Sequence, residues 1–353
     1  MSKYTALIAG ATGAIGSALA RQLGPQNEWR VLGISRHAPS APVTGIEYVT
    51  MDMSRREECV AALREHPGIT HVFYCGRATH GEQMLESAED NLLLLDNLIN
   101  GVESSAHNLQ HVHLVQGGKY YGVHIGPFPS PAKEEDSRAP IPNFNYDQQD
   151  YLTQRSQTSP WSWSASRPNT LVHYSPSIAR NLASSIGAYA AICRELGAAL
   201  DFPGPEGAFN SLTQLTSIDL LARGIDWMST NPTCANQAFN MTNTDLIRWR
   251  MIWPKIADLF DMPCGDARPM RLTQTMEDRA ALWAEICKNH NLNPLPLSSV
   301  ANWGYLDATF ERYWDEVFNH VKAREFGFHD WDNSEEKLLN ILRQYQNDLI
   351  LPR

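Results

Sequence analysis

Near the start of the chain, Gly10-Ala11-Thr12-Gly13-Ala14-Ile15-Gly16 spaces three glycines so that the backbone can turn tightly and come close to a bulky anion. The strand-like run Tyr4–Ala9 precedes this loop and the helix-forming run Ala14–Leu23 follows it. A turn in that setting aims the first N–H groups of the helix, and the positive end of its dipole, at a phosphate. Spaced glycines alone are a weak signal; their place between a first strand and a first helix gives them weight. Gly10, Thr12, Gly13, Ala14, Ile15 and Gly16 are therefore expected to hold the pyrophosphate of a dinucleotide.

The next strand-like run chooses the coenzyme. It ends Gly33-Ile34-Ser35-Arg36-His37, without the carboxylate that would accept hydrogen bonds from the ribose of NAD. A guanidinium at Arg36 and a hydroxyl at Ser35 suit a 2′-phosphate instead, so NADP(H) is the expected cofactor. Asp52, after the third strand candidate, is placed either to accept from the adenine amino group or simply as a solvated turn residue. Met53 and Cys75 are expected along the same coenzyme, and nothing in the sequence marks Cys75 as an activated thiol.

Lysine is scarce, with seven in the chain, yet Lys119 stands directly after the fifth strand candidate in Val115-Gln116-Gly117-Gly118-Lys119-Tyr120-Tyr121-Gly122. In a doubly wound sheet the carboxyl ends of the strands open onto the ligand crevice. An ammonium there favours the ionised form of a nearby phenol, or holds ribose hydroxyls. The alternative is an exposed loop lysine.

These residues need a scaffold, and the first 120 positions supply an alternating one. Strand candidates Tyr4–Ala9, Arg30–Ile34, Ile46–Thr50, His71–Cys75 and His111–Val115 are separated by helical stretches near Ala14–Leu23, Arg55–Glu65 and Gln83–Val102. Such alternation predicts an α/β fold, a Rossmann-type doubly wound parallel sheet with a smaller, mostly helical C-terminal substrate domain. Residues 1–175 are read as the dinucleotide-binding domain, completed by elements within 205–245, with 176–204 and 246–353 as the substrate-binding region. Prolines from Pro127 to Pro142 punctuate a polar stretch from Gly122 to Ala165, read as a loop; a sixth strand is expected near Asn169–Tyr174 and a helix over Ser177–Leu200.

The formal net charge of −10 repels phosphate backbones and anionic lipid, so nucleic acid and membrane are poor partners. The six cysteines are scattered, which argues against a disulfide framework or zinc site and for the cytoplasm. His111 and His113 alternate along one strand as an expected surface pair, and no metal site is expected.

With these pieces in view the chain resembles the progesterone 5β-reductase/iridoid synthase-like (PRISE-like) family of atypical extended short-chain dehydrogenases/reductases. The resemblance rests on Gly118-Lys119-Tyr120-Tyr121-Gly122, on Pro142-Asn143-Phe144-Asn145-Tyr146-Asp147-Gln148-Gln149-Asp150, on Phe202-Pro203-Gly204, on Gln237–Asn243 and on Phe326-Gly327-Phe328. The Tyr-x-x-x-Lys tetrad usual in short-chain reductases is missing, since Asp150 follows Tyr146 at the fourth position. The resemblance implies that Lys119 and Tyr146 act together as catalytic residues beside the coenzyme, and that Pro168 and Leu171 contact it through their backbone. It implies NADPH-dependent hydride transfer to the β-carbon of an enone or enal, with tyrosine stabilising the enolate oxygen. Tyr74-Cys75-Gly76-Arg77 departs from the Val-Thr-Trp-like stretch of plant members, so a different substrate pocket is expected; Arg77 is left open between an acidic substrate, the pyrophosphate and an ion pair elsewhere. A carbonyl reductase or sugar-nucleotide-modifying enzyme on the same scaffold, and a non-catalytic NADP(H) sensor, remain as alternatives. The expected partner is a small-molecule enone, enal or other carbonyl compound, and a homodimer is allowed.

Overall fold

The computed structural model describes residues 2–39, 42–78, 86–176 and 178–353. The Rossmann part runs β1 (Tyr4–Ala9), α1 (Ala14–Leu23), β2 (Trp29–Ser35), β3 (Glu47–Thr50), α2 (Arg56–Leu63), β4 (His71–Tyr74), α3 (Ala88–Glu103), β5 (His111–Val115), α4 (Phe144–Ser156) and β6 (Ser162–Arg167). It continues through β7 (Thr170–Val172), α5 (Leu182–Glu195), β8 (Leu200–Phe202), α6 (Glu206–Asn210), β9 (Leu215–Ser217), α7 (Ile218–Thr230) and β10 (Gln237–Asn240). Beyond lie α8 (Trp249–Leu259), β11 (Cys264–Ala267), α9 (Leu272–Thr275), α10 (Ala280–Asn289), α11 (Leu297–Val300), α12 (Trp303–Phe310), α13 (Val321–Glu325) and α14 (Ser334–Asn347).

Seven parallel strands form one sheet in the order β10-β6-β5-β4-β1-β2-β3. The chain leaves β1 toward β2 and β3, then crosses back to β4 and β5, so the order reverses between β1 and β4. In open α/β sheets ligands bind in the crevice outside the carboxyl ends of the strands at such a reversal. Alternation along the strands covers both faces. Leu7 and Ala9 of β1 join a core with Cys59 and Leu63 of α2 and Leu95 and Leu98 of α3. Ala6 and Ile8 face Leu19 and Leu23 of α1 and Leu221 and Ile225 of α7. Successive strand side chains point to opposite faces, so a strand buried on both reads as continuously apolar, as β1 does. A third core, with Trp249, Trp253 and Trp283, gathers α5, α8, α10, α12 and α14. Among the described residues no helix is long and apolar enough to cross a membrane.

Five expectations need correction. The sixth strand of the sheet is Ser162–Arg167, before Pro168; Thr170–Val172 pairs with Leu215–Ser217 in a separate two-stranded sheet. The stretch read as loop contains α4 and most of β6, because the last proline lies at Pro142 and Asn143 then caps a helix. His111 and His113 are buried, not on a strand surface: they lie against the serines of β6. The helix expected over Ser177–Leu200 is shorter, Leu182–Glu195, and the one expected from Gln83 begins at Ala88, with Gln83–Leu85 outside the described residues.

Candidate active site

The glycine loop closes on a short backbone bond from Gly13 N–H to Gly10 C=O, 2.9 Å, and Gly13 is the N-cap of α1. Two of its glycines have no substitute. Gly10 adopts φ +76°, and a Cβ there would stand 2.9 Å from the carbonyl oxygen of Cys75. A Cβ on Gly16 would stand 2.2 Å from the carbonyl oxygen of Gly10, so α1 can approach β1 only without one. The loops after β1, β3 and β4 meet at this point: a Cβ on Gly76 would lie 3.2 Å from the Met53 methyl group. Burial pushes the Cys75 thiol up to about 12, so it stays protonated. Asp52 accepts the Ser54 N–H at 2.9 Å, which with the nearby charges of Arg55 and Arg36 holds its carboxyl below the usual range. Ile15, in the first turn of α1, is half-buried against the α7 side of the sheet.

Beside the loop opens a cleft of about 1120 Å³. Ala11, Thr12, Ala14, Ser35 and Arg36 line one end; Val172–Pro176, the start of α7 and one face of α14 line the other. Ser35 is 7% exposed, and its hydroxyl oxygen is buried with no hydrogen-bond partner among the described residues. A buried hydroxyl ordinarily finds a partner, so one left over at a cleft wall points to a ligand. Thr12, Ser35 and Arg36 thus line the same cleft, and the hydroxyl of Ser35 beside the guanidinium of Arg36 fits the 2′-phosphate that the sequence assigns to these two.

Lys119 and Tyr146 lie outside the lining of this cleft. Lys119 sits on a 3₁₀ turn, Gly118–Tyr121, closed by Gly122 at φ +82°. Its ammonium lies 2.8 and 2.7 Å from the two carboxylate oxygens of Glu86, which also takes Arg77 at 3.1 Å. Burial pulls the Lys119 pKa down, while Glu86 opposes the shift. Tyr146, in the first turn of α4, donates its hydroxyl to the Tyr120 carbonyl at 2.6 Å and accepts the Ala139 N–H at 3.0 Å. The two side chains therefore share a neighbourhood, since Tyr146 bonds the residue next to Lys119, but each head group is engaged with another partner. Pro168 brings its carbonyl oxygen within 3.6 Å of where a Gly117 Cβ would stand, and Leu171 on β7 packs in the core beneath.

What ties turn and helix together is a set of residues the sequence did not reveal. Asn143 caps α4 with its side-chain oxygen and donates its amide to Lys119 C=O at 2.7 Å. Gln116 donates to Asn145 C=O at 2.9 Å. Arg167, 1% exposed at the end of β6, donates to Gln116, Tyr121 and Gln149 at 2.9–3.1 Å and lays its guanidinium 3.4 Å from the Tyr120 ring centre. The one available cue was a charged residue closing a strand; nothing in the sequence linked Glu86 to Lys119.

Comparison with known proteins identifies the family. A family model described as the PRISE-like Rossmann-fold domain matches residues 40–308. An (S)-8-oxocitronellyl enol synthase of Nepeta racemosa is 32% identical over 95% of this chain and 88% of its own length. A 3-oxo-Delta(4,5)-steroid 5-beta-reductase of Arabidopsis thaliana is 30% identical over 98% of this chain and 93% of its own. Among solved structures, the UDP-glucose 4-epimerase of Thermotoga maritima superposes with a TM-score of 0.70 at 14% identity, covering 98% and 99% of the two chains, which speaks for the fold alone. The chain belongs to the PRISE-like family of Rossmann-fold proteins and is an oxidoreductase of the short-chain dehydrogenase/reductase superfamily.

Proposed function

We propose that this protein is an NADP(H)-dependent reductase that adds hydride to the β-carbon of an enone or enal. The observation that carries the coenzyme choice is the Ser35 hydroxyl, without a partner among the described residues, beside Arg36 at the cleft wall. The names of two relatives point the same way: one is a 5-beta-reductase of a 3-oxo-Delta(4,5)-steroid, in which C5 is the carbon β to the carbonyl, and the other is a synthase of an enol. Bound along the crevice, NADPH supplies the hydride.

The residues of this chain do the rest. Electrons displaced from the C=C bond collect on the carbonyl oxygen, where a hydrogen-bond donor lowers the barrier, and a proton from water then reaches the α-carbon as the enolate returns to the ketone. Tyr146 is that donor once its hydroxyl exchanges the Tyr120 carbonyl for the substrate oxygen. Lys119 supplies positive charge beside the developing enolate and holds ribose hydroxyls. Product analysis with NADPH and a simple enone tests the reading. A saturated ketone supports it; an allylic alcohol would identify a carbonyl reductase instead.

A further inference from the structure

The first turn of α4 carries two polar side chains in opposite states. Tyr146 is paired twice, donating to the Tyr120 carbonyl and accepting the Ala139 N–H. Asn145 beside it is 1% exposed, and its side-chain oxygen is buried with no hydrogen-bond partner among the described residues. A chain of bonds fixes which way that amide points. A backbone carbonyl only accepts, so Asn143 turns its amino group to Lys119 C=O, 2.7 Å away. Its own oxygen then accepts both the backbone N–H of Asn145, at 3.1 Å, and the side-chain amino group of Asn145, at 2.9 Å. The atom of Asn145 left over is therefore an acceptor. Buried acceptors ordinarily find partners, so one kept without any points to a donor that arrives with a ligand.

Its place in the fold narrows the ligand. Gln116, the residue after β5, donates to the Asn145 carbonyl at 2.9 Å, and the turn bearing Lys119 follows, so the start of α4 rests on the carboxyl end of β5. A dinucleotide lies across the carboxyl ends of such a sheet, with one half on each side of the strand-order reversal. If Ser35 and Arg36 hold the 2′-phosphate at the end of β2, the half that reaches β4 and β5 is the nicotinamide half. That half carries donors, the ribose hydroxyls and the carboxamide amino group. The conjugated carbonyl of an enone carries none and does not fit an acceptor. A buried water needs several polar partners. The side chains nearest Asn145 are already engaged, Gln116 with Arg167 and Gln149, and Asn143 with Lys119 and Asn145 itself.

We propose that the side-chain oxygen of Asn145 accepts a hydrogen bond from the nicotinamide half of the coenzyme, so that a chain of amides runs from the Lys119 carbonyl through Asn143 to the bound coenzyme. The proposal rests on the coenzyme reading of the crevice. Asn145→Leu removes the acceptor at nearly constant size, and calorimetry compares its binding of NADP⁺ with that of 2′,5′-ADP, which lacks the nicotinamide half. NADP⁺ is expected to bind roughly 3- to 10-fold more weakly and 2′,5′-ADP as before. The urea midpoint of the coenzyme-free variant should hold or rise, because an unmet buried acceptor has gone. Asn145→Ala reads the same ratio should leucine disturb folding. The 3-acetylpyridine analogue of NADP⁺, with a methyl group in place of the amino donor, identifies the bond: a smaller loss than with NADP⁺ assigns the carboxamide, an equal loss the ribose. Unchanged NADP⁺ affinity overturns the proposal, and so does equal weakening of NADP⁺ and 2′,5′-ADP with a lowered urea midpoint, which would make Asn145 a part of the fold. Failure of the coenzyme reading itself looks different, since the unaltered protein would then bind neither ligand and the proposal would fall with it.

Discussion

Arg36 and Ser35 make the sharpest residue-scale prediction, because one group on the coenzyme separates two outcomes. Replacing Arg36 by Ala removes the guanidinium that would face a 2′-phosphate, at a cost of about 1.5–3 kcal/mol for a charged hydrogen bond. Affinity for NADPH should fall roughly 10- to 100-fold while that for NADH barely moves. Titration of both coenzymes checks this, and an unchanged ratio removes Arg36 from the site. Tyr146→Phe is a subtler case, since its hydroxyl also joins the Tyr120 carbonyl to the Ala139 N–H. Losing those bonds costs about 1 kcal/mol each in stability, whereas losing an oxyanion donor costs about 100-fold or more in turnover. Turnover should therefore collapse with NADPH binding nearly intact and only a modest drop in denaturation midpoint. Equal loss of binding and turnover would mean that the phenol is structural. Arg36 could be singled out as a candidate because it stands at the end of a strand beside the residues that give it meaning. Glu86 was not, because its partner lies 33 positions away and only folding brings them together.

Single elements account for most of what the sequence hid. The strand β6 reads Ser-Trp-Ser-Ala-Ser-Arg, polar at every second position, and polar alternation ordinarily marks a solvated face. Here Ser162, Ser164 and Ser166 face β5, where His111 bonds Ser162 and Ser164 at 2.8 and 2.7 Å and His113 bonds Ser164 and Ser166 at 2.8 and 3.0 Å. Hydroxyl and imidazole satisfy each other across the strands, which lets two polar rows be buried where periodicity expects apolar ones. The run after Pro168 looked like a better strand because Thr-Leu-Val is β-branched and apolar, and it does form one, in the wrong sheet. At the end of β6, Arg167 holds the Lys119 turn and α4 together. Arg167→Met keeps the length and much of the packing but strands the buried side-chain oxygen of Gln116, at about 1–3 kcal/mol. A lowered urea midpoint is expected, together with a fall in kcat greater than the change in NADPH affinity. A variant that loses stability while keeping its kcat would confine Arg167 to the fold.

At the scale of the whole molecule, the doubly wound order followed from alternation alone, because parallel strands joined by helices have few ways to pack. The number of strands did not, since β10 joins the edge from a point about 70 residues after β6. The same burial that hid the histidines gives the fold a dependence on pH. Burial holds His71 at about 4, His113 at about 3 and His173 at about 4, with His111 well below its ordinary value. Each is neutral when folded and free to take a proton near pH 6.5 when unfolded. The unfolded chain therefore binds more protons between pH 6.5 and about 4, and stability falls as the pH drops through that window. Each histidine contributes about 1.4 kcal/mol per pH unit there. Above pH 6.5 the contribution is complete and flat. Urea unfolding at pH 7.5, 6.5 and 5.5 should show a steep loss only between the last two. In His113→Gln, whose amide can still bond a serine, that slope should shrink by about one proton. If the variant keeps the full slope, the imidazole is already charged inside the sheet, and the neutral ladder between β5 and β6 is not how those strands are joined.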